Sequence, residues 1–225
     1  MKIWHISDTH TYHDLLTIPQ DIDLVIFSGD CSNPRNPYHN EPEVRDFLTW
    51  FSGLAIPHKV MIAGNHDSSI EKGLVDKETI EALGIHYLEN TNVTIEGIKI
   101  FGSPWTPTFC NWSFNKDRSK LERMWRNVID DDCDIVIVHG PPQGILDLSM
   151  DRQNVMEFCG DKSLLNQVIK VQPKLMLFGH IHNCKGIINA GTRTIPGQDT
   201  IFSNGSVVTD GKFGKLSSNG NILEI

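Results

Sequence analysis

Five apolar runs in this chain each end in a side chain able to bind a cation, and that limits the fold to buried sheets with ligands gathered at their edges. Lys2–Ser7 leads into Asp8-Thr9-His10, and Asp23–Asp30 closes on Gly29-Asp30. HKVMIAGNHD closes on Gly64-Asn65-His66-Asp67, CDIVIVHGPP reaches His139-Gly140, and PKLMLFGHIH ends in Gly179-His180-Ile181-His182. Continuous apolar runs of this length are expected as strands covered on both faces. In open α/β sheets ligands bind at the carboxyl ends of strands.

The segments between the runs alternate in character. Glu41–Leu54 spaces Val44, Phe47, Leu48, Phe51 and Leu54 as one helical face, with acidic residues expected in its first turn. Asp76–Gly84 is expected as a short helix closed by Gly84, and Ser119–Val128 and Ser163–Val171 as two more. VTIEGIKIFGSP alternates around Glu96-Gly97, a hairpin signal. The tail from Ile187 to Ile225 mixes Gly, Asn and β-branched residues, so SVVTD and NILEI are expected as short antiparallel strands completing a second sheet. No linker or internal repeat divides the chain, and a single domain over residues 1–225 is expected.

The strand ends define a chemistry. Asp8, His10, Asp30, Asn65, His139, His180 and His182 offer only oxygen and nitrogen donors. Such donors suit Mn²⁺, Fe, Zn²⁺ or Mg²⁺ rather than a thiolate zinc site. Seven donors are too many for one tetrahedral ion, whereas two ions sharing a carboxylate need about this set. Each residue alone has a plainer reading. Asp8 or Asp67 could cap a turn, Asn65 could sit in a turn after Gly64, and His139 could be a core histidine.

Charge and cysteine usage narrow the class. The formal net charge is −8 with no Lys/Arg cluster, which argues against a duplex nucleic-acid surface. Five scattered cysteines lack any CxxC pair, and no apolar run is long enough to span a membrane. The expectation is a soluble cytoplasmic protein with reduced thiols.

DxH, GD, GNHD, a strand-terminal His and GHxH, in this order, resemble the calcineurin-like metallophosphoesterase superfamily from Lys2 to about Ser206. FGSPWTP, NWSFNKDR, VHGPPQGILD and FGHIHNCKG are similar to its small metallophosphoesterase-domain-containing (MPPED, 239AB-like) subgroup. GDCSNPRNP lacks the GDxVDRG pattern of Ser/Thr protein phosphatases, which speaks against that branch.

The resemblance implies an α/β fold, a four-layer α/β/β/α sandwich with two mixed sheets. It implies a first cation on Asp8, His10 and His182, a second on Asn65, His139 and His180, and Asp30 between them. Mn²⁺ is the first choice of metal, with Fe, Zn, Ni or Mg as others. His66 would protonate the leaving oxygen, and Asp67 would hydrogen-bond and orient His66. The nucleophile would be a hydroxide between the cations, and the substrate a small nucleotide phosphodiester, cyclic ones included. Phosphomonoester or dinucleoside polyphosphate hydrolysis is the enzymatic rival, and a non-catalytic scaffold of the same fold the other. Substrate contacts are expected from Asn33 and Arg35 after Asp30, from His13, and from Trp105. Trp105, Trp112 and Phe114 are weighed as a base-stacking wall, with core packing favoured for two of the three.

Overall fold

The computed structural model describes residues 1–150, 153, 155–211 and 214–225. In chain order the first half runs β1 (Lys2–Ile6), β2 (Leu24–Ser28), α1 (Pro37–Gly53), β3 (His58–Ile62), α2 (Ser68–Glu71), α3 (Lys77–Glu81), β4 (His86–Tyr87), β5 (Thr91–Ile95) and β6 (Ile98–Ser103). It continues with β7 (Thr106–Pro107), β8 (Asn115–Lys116), α4 (Arg118–Val128), β9 (Ile135–Val138), β10 (Leu148–Met150), β11 (Met156–Phe158) and α5 (Lys162–Val171). β12 (Leu175–Phe178), β13 (Gly191–Arg193), β14 (Ile201–Asn204) and β15 (Asn221–Glu224) complete it.

Strand periodicity builds the layers. In β1, Ile3 points toward Leu24, Ile26, Ile137 and Leu177, whereas Trp4 and Ile6 point toward Phe47 and Phe51 of α1. The first sheet, ordered β15-β1-β2-β3-β4, is thus covered by helix on one face and by the second sheet on the other. The second sheet, β13-β14-β12-β9-β6-β5, repeats the logic: Ile135 and Ile137 face the first sheet, and Val136, Met176 and Phe178 pack on Leu121 and Trp125 of α4 and Leu164 of α5. The result is the expected helix, sheet, sheet, helix stack, with both large sheets mixed. At roughly 1.5–3 kcal/mol for each large side chain buried, the three apolar clusters supply the main stabilisation.

Two local expectations change. The first long helix starts at Pro37 rather than Glu41, because Asn36 accepts the Tyr38 N–H at 3.0 Å and proline fits the first helical position. Its first turn therefore carries no acidic residue, and Pro42 lies inside the helix. The tail is divided between sheets: Ile201–Asn204 and Gly191–Arg193 extend the second sheet, but Asn221–Glu224 pairs antiparallel with β1 at the edge of the first. Ser206–Asp210 makes only isolated bridges, including Ser7 with Ser206, since Asn204 Oδ1 takes the Ser206 N–H and ends the strand. No helix among the described residues is long and apolar enough to cross a membrane.

Candidate metal centre

The turns after β1, β2, β3, β9 and β12 converge where the two sheets meet. Main-chain bonds set their spacing: Asp8 N–H donates to the Gly29 carbonyl at 2.8 Å, Ser7 N–H to Gly205 at 2.8 Å, and Gly179 N–H to His139 at 2.9 Å. Asp8 (φ 53°), His10 (φ 42°), Asp30 (φ 64°) and His180 (φ 69°) all adopt left-handed backbone, which non-glycine residues rarely do. Strain concentrated on four candidate ligands marks a site rather than a set of ordinary turns. At Gly179 a β-carbon would collide with Asp8 Oδ2 and Ser7 Oγ, and at Gly64 with Asp30 Oδ1, so two glycines leave room for the two carboxylates.

Donor atoms gather in three overlapping groups: Asp8, His10 and His182; His10, Asp30 and His66; and Asp30, His139 and His180, the atoms within each lying within 4.8 Å of one another. His182 Nε2 lies 3.0 Å from Asp8 Oδ1, and His139 Nε2 lies 3.3 Å from Asp30 Oδ2 and 3.0 Å from Asn65 Oδ1. His10 Nε2 is 4.0 Å from Asp30 Oδ2. Two of the other ring nitrogens are committed elsewhere. His10 Nδ1 donates to the Ser32 carbonyl at 2.9 Å and His139 Nδ1 to the Ser28 carbonyl at 2.8 Å. Each ring is thereby held with Nε2 inward, as outer hydrogen bonds orient metal-binding imidazoles. Several lone pairs facing one another at such range, none from a thiol, fit divalent cations.

The electrostatics agree. Burial pushes the Asp30 carboxyl up, but the charges of His139 and His66 outweigh it and hold it well below the usual range. Asp8 follows the same pattern, with burial overcome by His182 and His139. Burial lowers His139, yet Asp30 dominates and raises it to about 9. His10 and His180 are lowered by burial to about 4 and about 3. The pocket thus holds two buried carboxylates looking for positive charge.

All seven predicted ligand residues are brought together here. His66 sits beside them, its backbone N–H on Asp30 Oδ1 at 2.7 Å and its Nδ1 on the Asn33 carbonyl at 3.2 Å. The expectation that Asp67 orients His66 is corrected. Asp67 is buried and accepts the N–H groups of Asp30 (2.9 Å), Cys31 (3.0 Å) and Gly64 (2.8 Å) and the Ser32 hydroxyl (2.8 Å). It ties the Asp30 turn to the Asn65 turn, and Asn33 orients His66 instead.

The substrate contacts divide as well. Asn33 lies at the site, its Nδ2 donating to the His10 carbonyl at 3.2 Å. Arg35 stacks over Trp112, its guanidinium carbon 3.8 Å from the ring centroid. His13 does not reach the site; it is buried against Phe47 and Trp50, on the helix side of the first sheet. Trp105 packs against the helix-side cores, with Phe114 at its edge and Lys116 over its ring at 3.8 Å. Of the three aromatics weighed as a wall, only Trp112 reaches the site, 4.0 Å from the His66 ring.

Sequence reasoning missed Phe109, whose ring lies 5.0 Å from that of His180, and Phe158, 59% exposed on β11. Both line a cavity of about 510 Å³ that opens onto Asn65, His66 and His180. A second cavity, of about 560 Å³, opens onto His10, Asn33 and Lys215, and the two share His66, His182 and Asp210. Exposed apolar residues flanked by polar turns leave no periodic signal, so nothing in the sequence placed them.

The family model described as calcineurin-like phosphoesterase matches residues 1–184. The chain is 34% identical over 213 residues to metallophosphoesterase domain-containing protein 1 of Homo sapiens, covering 84% of this chain and 63% of that protein. It thus spans less than two thirds of that relative. A UPF0046 protein of Caenorhabditis elegans is 30% identical, with 86% of this chain and 68% of the relative aligned. Among solved structures, phosphopantetheinyl hydrolase from Mycobacterium tuberculosis superimposes with a TM-score of 0.56 at 15% identity, over 92% of this chain and 89% of that one.

Proposed function

The chain belongs to the calcineurin-like phosphoesterase family, and from that premise we propose that it is a phosphodiesterase acting on small nucleotide diesters at a two-cation centre. Asp8, His10 and His182 would hold one cation, Asn65, His139 and His180 the other, and Asp30 would be shared. Two divalent ions, Mn²⁺ first among them, would offset the phosphoryl charge and bring the pKa of water toward neutrality.

The chain's own residues supply the rest. Asn33 fixes the His66 tautomer, because a carbonyl can only accept and Nδ1 must therefore carry hydrogen. Nε2 is then the nitrogen left to carry the second proton, which passes to the departing alkoxide and leaves the ring neutral with hydrogen on Nδ1; the alkoxide is a poor leaving group without that proton. Asp67 keeps Asp30 and Gly64 at fixed separation, and so preserves the geometry that positions substrate.

The observation that carries the diester reading is the pair of cavities meeting at His66 and His182. A monoester has one organic substituent to house, and a diester has two. The cavity with Phe109 and Phe158 suits a planar base, and the one with Asn33 and Lys215 a polar substituent. Turnover of bis-p-nitrophenyl phosphate against p-nitrophenyl phosphate, with Mn²⁺ added to metal-free protein, tests this. Faster diester cleavage is expected. Faster monoester cleavage would replace the reading by a phosphomonoesterase.

A further inference from the structure

His66 is one side of a layered stack. Its ring lies 4.0 Å from that of Trp112, tilted by 31°, and the Arg35 guanidinium lies 3.8 Å from the same indole. Two groups so close to one centroid do not fit on one face, so Trp112 lies between the Arg35 guanidinium and the imidazole. The His66 and His10 rings meet nearly perpendicular, centroids 4.8 Å apart at 85°, and Nδ1 meets the Asn33 carbonyl. The imidazole is therefore in contact with Trp112, with His10 and, at one nitrogen, with Asn33.

Trp112 is itself anchored. It lies between β7 and β8, in a segment where Cys110 (φ 44°), Asn111 (φ 54°) and Phe114 (φ 46°) are left-handed. That backbone is tied by the Phe114 N–H to Glu71 Oε1 of α2 at 2.8 Å and by the Phe109 N–H to Asn115 Oδ1 at 3.2 Å. A strained but pinned turn is how a protein holds an aromatic ring at a chosen place.

We propose that Trp112, clamped by Arg35, is a positioning residue that holds His66 in line with the leaving oxygen. This rests on the reading of His66 as the proton donor. Its consequence is selective: a misplaced donor harms substrates whose alkoxide needs the proton and spares those whose anion leaves unaided. A general packing role would harm both alike.

The test compares His66→Ala, Trp112→Ala, Trp112→Phe and the double His66→Ala/Trp112→Ala in Mn²⁺-loaded protein, on a diester with an alkyl leaving group and on bis-p-nitrophenyl phosphate. Trp112→Ala is expected to lower kcat about 10-fold for the alkyl substrate and less than about 2-fold for the aryl one, with KM and melting temperature little changed. Trp112→Phe should restore most of the loss, and the double variant should be no slower than His66→Ala. Equal losses on both substrates, or losses that multiply in the double variant, would overturn the proposal while leaving His66 as the donor. A His66→Ala variant that does not discriminate between the substrates would overturn the donor role, and the positioning role with it.

Discussion

Asp30 Oδ2 lies 3.3 Å from His139 Nε2 and 4.0 Å from His10 Nε2, so one carboxylate belongs to two of the three donor groups. Its turn is left-handed, its N–H is taken by Asp67 and its other oxygen by the His66 N–H. Among the described residues His10 also belongs to two of the groups, but Asp30 is the one carboxylate that does. Asp30→Asn keeps the shape and removes the charge. Metal content, measured by elemental analysis, should fall from about two ions per chain to below one, and turnover by about 100-fold or more. Full occupancy would refute the shared role.

Asp67 makes a separate prediction, because it accepts three backbone N–H groups and a hydroxyl. Asparagine would set an NH₂ against donors and leave some unsatisfied, at a cost of about 1–3 kcal/mol. Asp67→Asn should melt earlier and bind Mn²⁺ about 10- to 100-fold more weakly, yet keep the preference between alkyl and aryl leaving groups. A changed leaving-group preference would restore Asp67 as the partner of His66.

His5 gives a pH dependence independent of the centre's chemistry. It lies between the sheets, Nδ1 at 2.8 Å from Ser203 Oγ and Nε2 at 2.9 Å from Ser28 Oγ, and burial lowers it to about 3 against the raising charge of Asp8. The folded state therefore holds this ring neutral while the unfolded chain takes a proton below about pH 6.5. Stability contributed by neutral His5 is present above that pH and falls as pH drops toward 3, by about 1.4 kcal/mol per unit. His139, raised to about 9, loses its contribution only on the alkaline side and does not mask this window. In metal-free protein, His5→Gln should flatten the slope of unfolding free energy between about pH 6 and 5 by one proton equivalent. An unchanged slope in denaturant titrations would show that His5 is not buried neutral.

Phe109 is half-exposed at the cavity that opens onto His180. If a base stacks there, Phe109→Ala should raise KM about 10-fold for a nucleotide diester and leave KM unchanged for a dialkyl diester. Mn²⁺ affinity serves as the control, because the ring also touches His180. An equal rise for both substrates would exclude base stacking at Phe109.

How much of this was legible follows from what each residue has to do. Strands covered on both faces are apolar at every position, so LVIF in β2 and LMLF in β12 announce themselves. A ligand must follow such a strand directly, which is why Asp8, Asp30, His139 and His180 could be chosen. The partner of a carboxylate is another matter. Asp67 follows His66 in sequence, but its oxygens turn back to the Asp30 turn, and adjacency carried no information on direction. His13 stands three residues after His10, yet the one-turn helix at His13–Leu15 rotates it into the core behind Phe47. Trp112 and Phe109 sit in an irregular segment with left-handed residues, where no period exists to read.

The paired centre is tested most directly by diffraction from crystals of Mn²⁺-loaded protein at the manganese absorption edge. Two anomalous peaks are predicted, one among Asp8, His10 and His182 and one among Asn65, His139 and His180, with the Asp30 carboxylate between them. A single peak, or peaks away from these side chains, would contradict the account.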